Sequence, residues 1–211
     1  MVHVVLFDLG TNKGQIIEAF VQVFGSGGIP YTVHAFEPYS AHFRDLGSKF
    51  RDNSNIHLYQ NAIALANGPT KLHIEEKRFL GNSIYSSKYN VSQKNYETVQ
   101  AIKFSEWLRT KGMSTPEDDV VYILKINIEG AEYDVFRDLA EHALIPCFRC
   151  LLVSDNGTSD MNKCMQLKDK VTNTQKIVDL FPKVYSYHGS KEKAVTVFET
   201  IFSSLLQVQS V

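Results

Sequence analysis

Short runs of apolar, β-branched residues alternate along this chain with longer stretches whose apolar residues recur at helical spacing, and this alternation restricts the fold more than any other feature. The first run, Val2-His3-Val4-Val5-Leu6-Phe7, reads as a strand buried on both faces. Ile16, Ile17, Phe20, Val21 and Phe24 follow with the spacing of a helix, which the breaker Gly25-Ser26-Gly27-Gly28 ends. The pattern repeats as a strand over 31–37, a helix over 40–50 and a strand over 56–63. Units of this kind predict right-handed crossovers and a mainly parallel sheet with helices on both faces, a doubly wound, Rossmann-like α/β architecture.

The middle of the chain is less regular. Residues 70–76 alternate like an exposed strand, and the polar stretch 81–95 reads as an insertion over the sheet's edge. A helix over 104–111 precedes a strand over 120–128, a helix over 132–142, a strand over 150–154 and a helix over 163–180. Residues 184–187 and 194–200 are expected to form a terminal antiparallel pair. With 211 residues and neither repeat nor linker, one domain over 1–211 is expected. A start directly on a strand, with no leading helix, fits a catalytic module cut from a longer polypeptide.

Lys and Arg number 22 against 23 Asp and Glu, so no positive field gathers a phosphate backbone, and nucleic acid is not expected as a partner. No apolar run approaches the roughly 18 residues of a membrane span. Asp8 also interrupts the N-terminal apolar run before it could serve as a signal peptide. A soluble, cytoplasmic protein is expected. Three cysteines, Cys147, Cys150 and Cys164, suit a reducing compartment, and the C-x-x-C they include lacks the second pair a zinc site needs. They read as free thiols near the start of a strand. No feature specifies an oligomeric state.

Ligands of open α/β sheets bind at the carboxyl ends of the strands, where the strand order reverses. The first strand ends in Asp8-x-Gly10-x-x-x-Gly14, whose glycines allow a tight turn ahead of the free N–H groups of a helix. A dinucleotide pyrophosphate is held by G-x-G-x-x-G and would be repelled by Asp8, whereas an ammonium would be attracted. The loop favours a cofactor that carries an amino acid, although a plain β-to-α turn would hold such glycines too. The second strand ends in His34-Ala35-Phe36-Glu37-Pro38, where Glu37 could accept hydrogen bonds from both hydroxyls of a ribose. His34 reads as a packed core histidine. In Gln60-Asn61-Ala62-Ile63-Ala64, Asn61 could face an adenine edge across a small Ala62 wall. Period 2 places Lys125, Asn127 and Glu129 on one face at the tip of the 120–128 strand, where buried polar groups need partners or a function.

Together these segments resemble the FkbM-type methyltransferase family. The matching stretches are Phe7-Asp8-Leu9-Gly10-Thr11-Asn12-Lys13-Gly14, Ala35-Phe36-Glu37-Pro38, Asn61-Ala62-Ile63-Ala64 and Leu124-Lys125-Ile126-Asn127-Ile128-Glu129-Gly130-Ala131-Glu132, in the family's order between about residues 4 and 154. The resemblance implies a class I methyltransferase sheet that binds S-adenosylmethionine and O-methylates a sugar, glycan or other small molecule. It places Asp8, Gly10, Thr11, Asn12 and Gly14 at the amino-acid end of the cofactor, Glu37 and Pro38 at the ribose, and Asn61 and Ala62 at the adenine. The family usually carries Asp where this chain has Asn127, which removes a negative charge and leaves Asn127 to hydrogen-bond cofactor or substrate.

Asp155-Asn156, opposite Glu129 at the neighbouring strand tip, looks like the metal site of metal-dependent O-methyltransferases and would suit Mg²⁺ or Mn²⁺, although Asp-Asn-Gly is also an ordinary turn. A weakly acidic hydroxyl needs a metal or a base beside it, and Lys125 and His188 are the candidate bases. Lys125 could instead pair with Glu129, and His188 could lie in a surface turn. Asn82, Ser83, Tyr85 and Tyr89 of the insertion offer a hydrogen-bonding wall for a sugar. Two rivals stay open: a catalytically silent cofactor-binding module, and a nicotinamide-dependent oxidoreductase.

Overall fold

The computed structural model describes residues 2–77, 81–88, 90–154, 178–187 and 190–208. Six strands form the main sheet: β1 (His3–Leu9), β2 (Tyr31–Phe36), β3 (Ile56–Tyr59), β7 (Val120–Ile126), β8 (Phe148–Ser154) and β9 (Val184–Tyr187), in the order β3-β2-β1-β7-β8-β9. Every pairing in it is parallel. The chain builds outward from β1 to β3, then returns to lay β7 against the free edge of β1. The strand order therefore reverses between β1 and β7, where such sheets bind ligands.

The two-residue period of the strands divides the core. Val5, Phe7 and Leu9 of β1 pack on one face with Leu124 and Ile126, under α3 (Phe104–Thr110) and α4 (Glu132–Glu141). Val4 and Leu6 face the other side with Ile123 and Leu152, under α1 (Gln15–Phe20), the π-helical turn Val21–Gly25 that extends it, and α5 (Lys191–Val208). Helix α2 (Ser40–Phe50) buries Leu46, which with Phe50 lies against Gly14.

A second sheet holds β4 (Asn61–Ala64), β6 (Tyr96–Lys103) and β5 (Gly68–His73), in the order β4-β6-β5, around Ala62, Leu72, Ile74, Val99 and Ala101. The single strand expected over 56–63 is thus two strands in different sheets, parted at Gln60. The strand expected over 70–76 is β5, shifted to Gly68–His73. Strand β6 carries no apolar run to announce it, because only Val99 and Ala101 of its eight residues are buried.

The terminal antiparallel pair does not form. Strand β9 pairs parallel to β8, with Leu151 opposite Val184, and residues 194–200 lie in α5. Val195, Thr196 and Val197 suggest a strand by their branching, but Ala194, Phe198, Ile201 and Leu205 recur at helical spacing and bury one stripe, and that burial decides. The helix expected over 163–180 lies almost entirely outside the described residues, as does Cys164. Cys147 and Cys150 are buried free thiols. Among the described residues no helix is long and apolar enough to cross a membrane.

Candidate functional site

Strand β1 passes into α1 through a turn with three left-handed residues, Gly10 (φ 82°), Asn12 (φ 53°) and Gly14 (φ 79°). A Cβ on Gly10 would stand 2.0 Å from the carbonyl oxygen of Asn127, so only glycine lets the turn close against the exit of β7. The amides of Gly10 and Thr11 both donate to the Phe36 carbonyl at the end of β2, at 3.1 and 3.0 Å. Glu37 follows at once. Its Oε2 accepts from the Asn12 amide at 2.7 Å and its Oε1 from the Tyr39 amide at 2.9 Å, so one carboxylate ties the glycine turn to the start of α2. Glu37 is 6% exposed, and burial pushes it up to about 7 against the opposing pull of those two amides and of Lys125.

Asp8 and Lys125 lie behind this turn, 0% and 2% exposed. Lys125 Nζ is 2.8 Å from Asp8 Oδ1, an ion pair off the hydrogen-bonding direction, and donates to the Gly10 carbonyl at 2.7 Å. Burial lowers the Lys125 pKa, but Asp8, Tyr187 and Glu37 together outweigh it and the net shift is upward. Lys125 is therefore a fixed ammonium, which corrects its expected role as base, and its acidic partner is Asp8 rather than Glu129.

The shared face expected for Lys125, Asn127 and Glu129 ends with β7 at Ile126. Beyond it the Asn127 amide donates to the Leu9 carbonyl at 3.0 Å, and Glu129 (φ 60°) and Gly130 (φ 119°) turn the chain aside. Glu132, on the first turn of α4, accepts from the Ile128 and Gly130 amides, each at 2.7 Å, and so fixes this turn from both sides. The side chain of Glu129 meets the insertion: Lys88 Nζ lies 2.5 Å from Glu129 Oε2 and 2.6 Å from the Gly81 carbonyl oxygen. Ser83 Oγ donates to the Glu129 carbonyl at 2.7 Å, and the Tyr85 hydroxyl donates to Asp134. Burial, and then that bond to Asp134, raises the Tyr85 pKa.

Between the turn and the insertion lies a pocket with about 580 Å³ of empty space, part of it open to solvent. Gly10, Asn12, Glu37, Pro38, Asn61, Ala62, Asn127, Glu129 and Asn82 line it, together with Phe36, Ile63, Leu72, Ile84 and Ile128. Asp8, Thr11, Gly14 and Lys125 do not line it; they hold the turn from behind or pack it. Ser83 binds the β7 exit and Tyr85 binds α4, and neither lines the cavity. The Asn61 amide donates to the Gln100 carbonyl at 3.2 Å, which fixes β4 to β6. Tyr89, Asp155, Asn156 and His188 lie outside the described residues.

Two residues escape sequence reasoning. His42 lines the pocket from the first turn of α2, its pKa lowered by burial and then by Lys13. Lys88, in a polar Ser-Ser-Lys stretch that reads as solvated, is 3% exposed. Position 42, the third residue of a helix that follows a strand tip, carries a weak signal; position 88 carries none.

The methyltransferase FkbM domain, as a family profile, matches residues 8–168 of the chain. Among solved structures the chain is similar to methyltransferase FkbM from Methylobacillus flagellatus KT, with 14% identity, a TM-score of 0.43 and 84% of this chain covered. The chain spans only 37% of the length of that protein. No curated protein sequence matches it.

Proposed function

Because the chain belongs to the FkbM methyltransferase family, we propose that it transfers the methyl group of S-adenosylmethionine to a hydroxyl oxygen, with a sugar or glycan as acceptor. The observation that carries this reading is the pocket at the β1–β7 reversal, which brings Glu37, the Gly10 turn, Asn127 and Glu129 to one cavity. The donor set fits the cofactor. Each oxygen of Glu37 takes one backbone N–H and keeps a second lone pair for a ribose hydroxyl. Ala62, Ile63 and Phe36 offer an apolar wall to an adenine, and Asn12, Asn127 and the turn's backbone offer polar groups to the amino-acid end.

S-adenosylmethionine, held there by Glu37, Asn12 and Asn127, would supply an electrophilic methyl group on its sulfonium sulfur, with sulfur as the leaving group and the acceptor's proton released to a neighbouring oxygen or water. The chain's own part is alignment. Lys125 fixes the Gly10 carbonyl, Glu37 fixes the Asn12 amide, and Glu129 presents a carboxylate to the acceptor side. Of the three expected cation ligands only Glu129 lies among the described residues, and one of its oxygens is against the Lys88 ammonium. No step is assigned to a metal.

The experiment is a screen with methyl-labelled S-adenosylmethionine against saccharides, catechols, protein and RNA. Methylated saccharide is the expected product. Label in protein or RNA alone would overturn the sugar reading, and no S-adenosylhomocysteine from any acceptor would leave a binding module.

A further inference from the structure

Glu129 is held by its neighbours through its carbonyl and its carboxylate, with the amides on either side of it fixed as well. It is not glycine, yet its backbone is left-handed, a conformation that strains a residue with a side chain. Its flanking amides are held by Glu132, its carbonyl by Ser83 and its carboxylate by Lys88. A strained residue persists only where its surroundings over-determine it, and the commonest place for that is a functional site.

The Lys88 contact is the telling one. Its side chain is 1% exposed, and the insertion brings this ammonium into the interior to meet the Glu129 carboxylate. Such a pair is a poor device for stability, because apolar side chains of similar volume hold a fold as well or better. What it supplies is a fixed geometry. The pair joins two segments that share the pocket wall: Asn82 and Ile84 on the insertion, and Asn127, Ile128 and Glu129 beyond β7.

We propose that Lys88 is a positioning residue for the methyl-transfer site: by holding Glu129 Oε2 it docks the insertion on the exit of β7 and sets the Glu129 carboxylate to accept a hydrogen bond from the acceptor hydroxyl. This rests on the methyltransferase reading above. It makes the insertion part of acceptor recognition through one buried charge. It also predicts that the acceptor side fails separately from the cofactor side, since neither Lys88 nor Ser83 lines the cofactor's part of the pocket.

The test compares Lys88→Met, Lys88→Arg and the charge-free double variant Lys88→Met/Glu129→Gln with the wild type. On the acceptor found by the screen, Lys88→Met lowers kcat about tenfold or more while the KM for S-adenosylmethionine and the affinity for S-adenosylhomocysteine stay within about threefold, and Lys88→Arg regains most of kcat. Hydrogen exchange supplies a readout that needs no acceptor. The double variant recovers the melting temperature lost in Lys88→Met, yet its Ser83 and Tyr85 amides exchange about tenfold faster than in the wild type. A Lys88→Met enzyme with wild-type kcat, or a double variant with wild-type exchange at those amides, overturns the proposal. If no acceptor in the screen is methylated, the transfer reading fails on its own, and the exchange measurement still decides whether Lys88 docks the insertion.

Discussion

On the side of the pocket proposed for the cofactor the inward-facing groups are held by backbone: Gly10 sits where no Cβ fits, two amides of the turn reach the Phe36 carbonyl, and Glu37 closes the turn through two further amides. On the insertion side the wall of the same cavity is held from behind by side chains reaching across long sequence separations, Lys88 and Ser83 to Glu129 and Tyr85 to Asp134. The first arrangement runs through backbone groups and belongs to the central sheet. The second is a polar patch laid over that sheet. The difference teaches which failures stay local, since damage to the turn reaches the β1–β7 seam and damage to the insertion reaches only the pocket wall.

The sharpest way to break this contrast is Lys125→Met, which leaves Asp8 buried without its partner at the seam. Losing one member of a buried pair costs about 3–5 kcal/mol, so a global drop of roughly 10 °C in melting temperature is expected. A melting temperature within a degree or two of wild type would show that the seam does not depend on the pair.

The next effect is a pH dependence. Glu37 is pushed up to about 7, so the folded, unliganded chain keeps a proton that the unfolded chain releases near the ordinary glutamate value of 4.5. The stability this group contributes is full below the lower value and lost as pH rises through the upper one, by up to about 3 kcal/mol. Glu37→Gln should remove that fall, and the comparison is read from melting temperatures of the two proteins between pH 5 and 8. Parallel curves would show that Glu37 is not the buried acid described here.

The smallest of these effects is Gly10→Ala. Left-handed strain and displacement of the Asn127 carbonyl together should weaken S-adenosylhomocysteine binding by about 2 kcal/mol, roughly thirtyfold. An unchanged affinity would mean that the turn is not closed against β7 when the ligand is bound.

The same contrast explains what the sequence discloses. Strands β1 and β7 read correctly because both of their faces are buried, so every residue from Val4 to Leu9 is apolar or, in Asp8, paired in the interior. Gly10 and Glu37 stand out in the sequence because a glycine just past a buried strand and an acid at a strand tip are local patterns, although the groups they meet, Phe36, Asn127 and Asn12, lie far along the chain. Strand β6, with two buried residues, and Lys88, buried by a partner 41 positions on, are set by tertiary contact and leave no local pattern. Residues 194–200 mislead for a related reason: their branching is local, while the stripe that makes them a helix appears only beside α1. Lys125 was visible as a polar residue in a buried strand, but its role as a fixed ammonium depends on Asp8 one strand away.

The central claim is that the pocket at the β1–β7 reversal holds S-adenosylmethionine with its ribose on Glu37. Calorimetric titration of S-adenosylhomocysteine into the wild type and Glu37→Ala tests it most directly. Hydrogen bonds to a charged group are worth about 1.5–3 kcal/mol each, so the account predicts binding to the wild type and an affinity at least about tenfold weaker in the variant. Equal affinities in the two proteins, or no binding to the wild type, would contradict it.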